Sequence, residues 1–192
     1  MRVLARHVIV TVGPWVHRLL AGVVPLPSIT VTQEQPRIFE PRDDAAHEPG
    51  GWPCFVQWRD DRGDWGRHES YGLYEAGAGV KVGLHASGPE IDPDRRDYAP
   101  EPKRDDALRA YVRDWFPGLD PDRSTPISCL YDNTDNGDFV IDRFGPLTVA
   151  TGFNGEGFKF VPVVGELLRD LAIEAADPPA MFTVARHLAE TT

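Results

Sequence analysis

Eighteen glycines and eighteen prolines divide this chain of 192 residues into short apolar runs. Because proline stops a helix and glycine weakens one, the core is expected to consist mainly of short β-strands. The runs that predict strands lie at residues 6–12, 28–32, 37–39, 54–58, 70–75, 80–85, 127–131, 139–142 and 147–151. The predicted fold class is α+β, with a mostly antiparallel sheet covered by helices. The β-branched run 6–12 is typical of a strand that is buried on both faces.

Residues 105–116 form the clearest amphipathic pattern of the sequence. Their apolar side chains recur at spacings of three and four, at Leu108, Tyr111, Val112 and Trp115. This spacing predicts a helix that ends before Pro117. Shorter helices are expected at residues 15–20 and 162–172. Residues 177–192 are expected to be a tail at an edge of the fold.

Charge and composition exclude several classes of function. Thirty acidic against twenty basic residues leave a net charge of −10, which argues against nucleic acid or an anionic membrane surface as a partner. With no long apolar segment and no signal peptide, a soluble cytoplasmic protein is expected. The two cysteines, Cys54 and Cys129, are too few for a disulfide framework. The histidines lack metal-ligand spacing, so no metal site is predicted.

One predicted strand has two very different faces. Lys81, Gly83 and His85 alternate with apolar residues, so they share one face of the strand. A solvated, half-exposed strand would explain this pattern. Alternatively the face binds a ligand, with Gly83 leaving room for a flat molecule to approach.

A second motif joins a strand, a glycine run and a helix. Gly152, Gly155 and Gly157 follow the strand at 147–151 in the order G-x-x-G-x-G, which is not the dinucleotide fingerprint. Free backbone N–H groups and a helix N-terminus at one place can bind an anion. A structural turn explains the same glycines. Cys129, in another short strand, has the composition of an ordinary core cysteine.

Six segments resemble, in order, the monomeric sarcosine oxidase family, which includes N-methyltryptophan oxidase and belongs to the D-amino-acid-oxidase-like flavoproteins. They are Val-Thr-Val-Gly-Pro-Trp at 10–15, Tyr-Gly-Leu at 71–73, Val-Lys-Val-Gly-Leu-His at 80–85 with Ile-Asp-Pro-Asp at 91–94, Cys-Leu-Tyr at 129–131, Asp-Phe-Val-Ile-Asp at 138–142, and Gly-Phe-Asn-Gly-Glu-Gly-Phe-Lys-Phe at 152–160. The resemblance covers nearly the whole chain.

The resemblance implies an FAD-dependent oxidase that converts a secondary amine, such as sarcosine or another N-methyl amino acid, into an imine with O₂ as acceptor, giving H₂O₂. It also implies that Cys129 carries the flavin covalently and that Lys81, His85 and Tyr71 are catalytic, with Lys81 facing the flavin on the side where oxygen reacts. The substrate would contact Lys159, Tyr131, Tyr71 and His85. Further cofactor contacts are implied for Gly13, Trp15, Gly155, Glu156, Gly157, Phe158 and Lys159.

By the same resemblance, residues 1–24 and 144–176 are fragments of an FAD-binding domain, residues 25–143 a substrate and catalytic domain, and residues 177–192 a C-terminal tail. The G-x-G-x-x-G segment with which the family begins has no counterpart here. The chain alone is therefore expected to be incomplete and inactive, with a separate polypeptide supplying the N-terminal FAD-binding half. The alternative is a non-catalytic, truncated remnant that acts as a binding or assembly module.

Two residues depart from the family pattern. Glu156 stands where a histidine is usual, and its negative charge would oppose charge on a reduced flavin. Asp132 stands where a threonine is common. Both changes are expected to affect the substrate or the activity.

Overall fold

The computed structural model describes residues 2–42, 52–59 and 68–190. The strands are β1 (Val8–Val10), β2 (Ile29–Glu34), β3 (Arg37–Pro41), β4 (Phe55–Arg59), β5 (His68–Glu75), β6 (Gly79–Leu84), β7 (Leu119–Pro126), β8 (Cys129–Thr134), β9 (Val140–Phe144) and β10 (Leu147–Thr151). The helices are α1 (Val16–Leu20), α2 (Pro102–Trp115), α3 (Val161–Arg169) and α4 (Val184–Glu190), with short 3₁₀ turns at Gly13–Trp15, Pro93–Arg95, Gly157–Phe160 and Ala180–Phe182 and a π-helical turn at Asp170–Glu174. The predicted α+β class is confirmed.

Internal contacts divide the chain into two compact units. Unit 1 contains residues 1–32 and 130–192, and unit 2 contains residues 33–129. The sequence-based division placed its boundaries at other positions, after residues 24, 143 and 176. The segments on either side of unit 2 therefore fold together as unit 1.

Unit 2 is built on an antiparallel sheet of five strands in the order β4-β5-β6-β3-β7. Helix α2 covers one face, where Leu108 and Val112 pack with Phe39, Val80 and Val82 in a fully buried core. The helix begins at Pro102, three residues earlier than predicted, because the Glu101 carboxylate accepts hydrogen bonds from the N–H groups of Lys103 and Arg104.

Strand β7 is absent from the sequence-based prediction. Its sequence, Leu-Asp-Pro-Asp-Arg-Ser-Thr-Pro, has two prolines and no regular apolar alternation. The strand lies at the edge of the sheet and pairs with β3. An edge strand tolerates proline because half of its N–H groups have no partner strand.

Unit 1 holds a three-stranded sheet in the order β1-β10-β9, in which β1 is parallel to β10 and β9 is antiparallel to it. The expectation that β1 is buried on both faces is wrong. Val8 and Ile9 are 48% and 45% exposed, and Val10 is the buried residue of the three. In the described part of the chain β1 pairs with β10 alone, so it is an edge strand.

The C-terminal residues also differ from the expectation of a tail at an edge of the fold. Residues 184–190 form α4, which packs on β9 instead of extending an edge. The Val184 N–H donates to the Asp142 carboxylate at 2.9 Å, and the His187 ring lies 3.0 Å from the Phe139 carbonyl oxygen. Two prolines and little apolar periodicity concealed this helix in the sequence.

Candidate functional site

The glycine run of unit 1, residues 152–157, is held by a carboxylate of the chain itself. Asp132 is 6% exposed. It accepts hydrogen bonds from the Thr151 hydroxyl at 2.9 Å, the Gly152 N–H at 2.8 Å and the Phe153 N–H at 3.3 Å. The first N–H groups of the run are therefore used internally, and the structural-turn interpretation is correct for this part of the motif.

Asn154 holds the same run from its other side. Its side-chain oxygen accepts the Thr134 N–H at 2.9 Å, and its amide donates to the carbonyls of Gly152 at 2.7 Å and Gly137 at 3.0 Å. The residue has a positive φ of 52°, which asparagine tolerates better than most residues. Side chains from two regions of sequence thus fix one loop.

Two of the glycines make room for aromatic rings. A Cβ atom at Gly155 would lie 2.2 Å from the Tyr131 ring, and one at Gly157 would lie 2.8 Å from Phe153. Gly155 also has a φ of 76°. Close packing against Tyr131 and Phe153 therefore requires glycine at these positions.

We expect Gly155→Ala to lower the free energy of unfolding by about 3 kcal/mol, because a left-handed alanine and an overlap with Tyr131 each cost about 1–3 kcal/mol. Gly137→Ala is the matched control, since Gly137 has a φ of 77° and nothing lies within 4 Å of its Cβ position. Thermal denaturation followed by circular dichroism measures both. Equal losses in the two variants would show that the Tyr131 contact contributes nothing.

A cleft of about 390 Å³ opens beside the glycine run. Its walls are mainly apolar and come from three elements: Leu130 and Tyr131 of β8, Phe153 and Gly155 of the run, and Val161 and Val164 of α3. Gly157 and Phe158 also line it, and Phe158 is 93% exposed. A cleft with these walls suits a flat aromatic ligand.

Glu156, within the glycine run, forms an ion pair with Lys159, which follows the run. The Lys159 ammonium lies 3.8 Å from the Glu156 carboxylate, and the two side chains are 63% and 42% exposed. Any other carboxylate that binds Lys159 must first displace Glu156 from this ion pair. Exposed pairs of this kind are weak, so the competition costs little.

The N-terminal turn lies next to the run. Gly13, with a φ of 50°, is close to Asp132: a Cβ on it would lie 3.9 Å from the carboxylate oxygen. Its carbonyl oxygen is 3.4 Å from the Thr151 hydroxyl. Trp15, 39% exposed, belongs to the 3₁₀ turn that leads into α1. Gly13 therefore lies beside Asp132 and Thr151, whereas Tyr131, Gly155, Gly157 and Phe158 line the cleft.

The face of the unit 2 sheet opposite α2 carries the three residues predicted to be catalytic. Tyr71 pairs with Gly83 across β5 and β6, and Lys81 and His85 lie two residues to either side of that glycine. A Cβ at Gly83 would lie 2.7 Å from the Tyr71 ring. The space at Gly83 is thus taken by Tyr71, which corrects the expectation that it admits a flat ligand.

Lys81 occupies the centre of this face. It is half-buried and lies in register with Leu73 on β5 and Ile38 on β3, two apolar residues. Among the described residues no carboxylate forms an ion pair with it. A lysine at this position places a compact positive charge on the same face as Tyr71 and His85. Val56, level with Tyr71 on β4, continues the face and was not singled out from the sequence.

The two cysteines differ in environment. Cys129, the first residue of β8, is half-buried, whereas Cys54 is exposed, and neither forms a disulfide. Cys129 directly precedes Leu130 and Tyr131, which line the cleft in unit 1.

In the described ranges no three His, Cys, Asp or Glu side chains are grouped as metal ligands would be. None of the helices described has the length and apolar character to cross a bilayer.

Residues 2–171 match the protein family described as FAD dependent oxidoreductase (DAO), which is most of the chain. The chain belongs to this family.

Curated relatives in the family include sarcosine oxidases. The chain is 30% identical over 174 residues to a monomeric sarcosine oxidase of Bacillus sp. (strain NS-129), covering 88% of this chain and 43% of the relative. It is 31% identical over 182 residues to the peroxisomal sarcosine oxidase of Homo sapiens, covering 88% and 44%. An N-methyl-L-tryptophan oxidase of Salmonella arizonae is 32% identical over 109 residues, or 54% of this chain and 29% of that protein. The chain thus spans less than half the length of the sarcosine oxidases.

Solved structures show the same fold. NikD, an amino acid oxidase of nikkomycin biosynthesis, matches 94% of this chain and 47% of its own with a TM-score of 0.72 at 20% identity. An L-proline dehydrogenase from P. horikoshii matches 91% and 44% with a TM-score of 0.64, also at 20% identity.

The residues of unit 1 fit part of an FAD molecule. The apolar cleft with its glycine backbone suits the flat ring system, and no charged side chain besides the fully hydrogen-bonded Asp132 is among its walls in the described residues. The sequence did not reveal that the side chains of Asp132 and Asn154 hold the glycine run in place. Asp132 was noticed as a departure from the family and Asn154 only as part of the motif, because hydrogen bonds 20 residues apart leave no local pattern.

Proposed function

We propose that the chain forms the substrate side of an FAD-dependent amine oxidase. The substrate is a secondary amino acid such as sarcosine or another N-methyl amino acid, and O₂ is the electron acceptor. The observation that carries the proposal is the shared sheet face of Tyr71, Lys81 and His85, with a half-buried lysine at its centre. Kinship with the sarcosine oxidases supports the choice of substrate.

In this reaction the amine loses one hydrogen from carbon and one from nitrogen, and its C–N single bond becomes the C=N bond of an imine. O₂ receives the two electrons and two protons and leaves as H₂O₂. Bound FAD supplies the two-electron acceptor, which no side chain can provide. The protein residues bind, orient and provide charge. Tyr71, Tyr131 and His85 offer hydrogen-bonding groups to the substrate, and Lys159 binds its carboxylate once the Glu156 ion pair opens. Lys81 stabilises negative charge that develops on oxygen.

Cofactor attachment is assigned to Cys129, through a thioether, with Gly13, Trp15, Gly155, Glu156, Gly157, Phe158 and Lys159 as further contacts. The remaining part of the FAD site, including the segment that binds the ADP moiety, would be supplied by a separate polypeptide.

The 192-residue chain purified by itself is expected to be colourless. In proteins of this kind the ADP moiety of FAD contributes much of the affinity through a G-x-G-x-x-G turn at a helix N-terminus, and these 192 residues contain no G-x-G-x-x-G segment. An absorbance spectrum of the purified protein measures the retained flavin. A stoichiometric yellow protein would contradict the expectation and show that this chain holds FAD unaided.

The activity itself is tested on the flavin-loaded assembly. H₂O₂ release should follow addition of sarcosine or N-methyltryptophan and be much slower with glycine or tryptophan, the matched primary amines. If no secondary amine produces H₂O₂, the oxidase proposal fails and the chain is better described as a binding or assembly module.

A further inference from the structure

We propose that Asp132 is a positioning residue of the flavin cleft: its carboxylate holds the glycine run in the shape that presents Gly155, Gly157 and Phe158 to the ligand. The inference rests on the proposed function in one respect, because it takes the cleft as a flavin-binding surface. The family resemblance had marked Asp132 only as a departure from threonine.

The hydrogen bonds of Asp132 are distributed over both carboxylate oxygens. Oδ2 accepts from the Thr151 hydroxyl and the Gly152 N–H, and Oδ1 accepts from the Phe153 N–H. A threonine at this position would offer a single oxygen. An asparagine would turn an NH₂ group towards one of these donors. The carboxylate is therefore the side chain that satisfies all three donors together.

Because Asp132 is buried, its carboxylate and the N–H groups of the loop depend on each other for their hydrogen bonds. Asp132 is almost inaccessible to water, and within the described residues no lysine or arginine pairs with it. A buried carboxylate is stable only when hydrogen-bond donors surround it, and buried N–H groups need an acceptor. Neither the strand end nor the loop can move away without leaving a polar group unpaired.

The effect of Asp132 extends to the cleft through its neighbour. Tyr131, the preceding residue of β8, packs its ring against Gly155 and lines the cleft. Asp132 thus contacts the first part of the run, at residues 152–153, and its neighbour Tyr131 contacts the middle of the run, at Gly155. Loss of the carboxylate contacts is expected to loosen both parts.

Asp132→Asn tests the inference because it preserves size and removes the charge. Asp135→Asn, at an exposed position of the following turn, is the control for charge. Leu20→Ala, in the buried cluster that α1 forms with Val10 and Val149, is the control for general loss of stability. Hydrogen–deuterium exchange followed by NMR should show amide exchange at residues 152–158 faster by about tenfold or more in Asp132→Asn. Neither control should show this change.

Riboflavin, which carries the flavin ring without the ADP moiety, gives a second measurement. Quenching of its fluorescence should show binding to Asp132→Asn about tenfold weaker or more than to the unchanged chain, at a temperature where both are folded. Leu20→Ala should bind it normally. In Asp132→Ala, added formate should restore slow exchange at Gly152 and Phe153 by occupying the vacated carboxylate position.

The outcomes separate the two proposals. Equal exchange in Asp132→Asn and Leu20→Ala, or a change confined to residues 152–153, would overturn the positioning role. If the unchanged chain does not bind riboflavin, that result counts against the proposed flavin cleft, while the exchange data still decide whether Asp132 fixes the whole run.

Discussion

Replacing Cys129 by alanine is expected to free all of the flavin when the loaded assembly is denatured with acid. In the unchanged protein the yellow colour should stay with the precipitated polypeptide, because a thioether survives unfolding. In Cys129→Ala it should appear in the supernatant. Cys129 is half-buried and directly precedes Leu130 in the wall of the cleft, which is consistent with the proposal that it is the attachment point.

Cys54→Ala provides the matched control for this result. Cys54 is exposed and precedes β4 in unit 2. Its replacement should leave the colour in the pellet. Colour that remains in the pellet of Cys129→Ala but disappears from that of Cys54→Ala would move the attachment to the other cysteine.

Lys81→Met is expected to slow the reaction with O₂ by about 10²–10³, the usual effect of removing one preorganised group that stabilises developing charge. Lys81 lies in register with Leu73 and Ile38, and no carboxylate of the described residues forms an ion pair with it. Methionine keeps most of the apolar volume of lysine. The anaerobic oxidation of the amine should change much less, since the negative charge on oxygen that Lys81 stabilises develops only in the reaction with O₂.

Lys159→Met should give the opposite result. Its loss removes an interaction with the substrate carboxylate that exists before and during the reaction, so KM should rise with little change in the O₂ step. Lys103→Met, at an exposed position in the first turn of α2, is the control for lost positive charge. Stopped-flow traces of the two half-reactions measure these effects separately. Equal slowing of both half-reactions in Lys81→Met would indicate a lysine that only supports the sheet.

The agreement between sequence and structure depended on whether the relevant interaction was local. The alternating residues 80–85 and the helical spacing after residue 105 predicted strand β6 and helix α2 within a few residues of their observed bounds. Both patterns arise because one side of each element must face a core. Strand β7 was missed because an edge position relaxes the demand for alternation. Helix α4 was missed because its stability comes from contacts with Asp142 and Phe139 on β9.

The same distinction applies to the two interpretations that the sequence left open. The alternation of Lys81, Gly83 and His85 predicted a shared face, but only the register of β5 with β6 put Tyr71 across Gly83. The glycine spacing predicted a turn or an anion site. The choice between them required the position of Asp132, a residue on another strand.

The sequence by itself determined the family, the α+β class and the faces of individual strands, since these follow from ordered motifs and from the periods of apolar side chains. Only the tertiary structure decided how the glycine run is used. Asp132 and Gly152 are 20 residues apart, and no local pattern relates them until β8 and β10 bring the carboxylate within 2.8 Å of the N–H group. Burial then makes this contact obligatory, because neither polar group can turn to water instead.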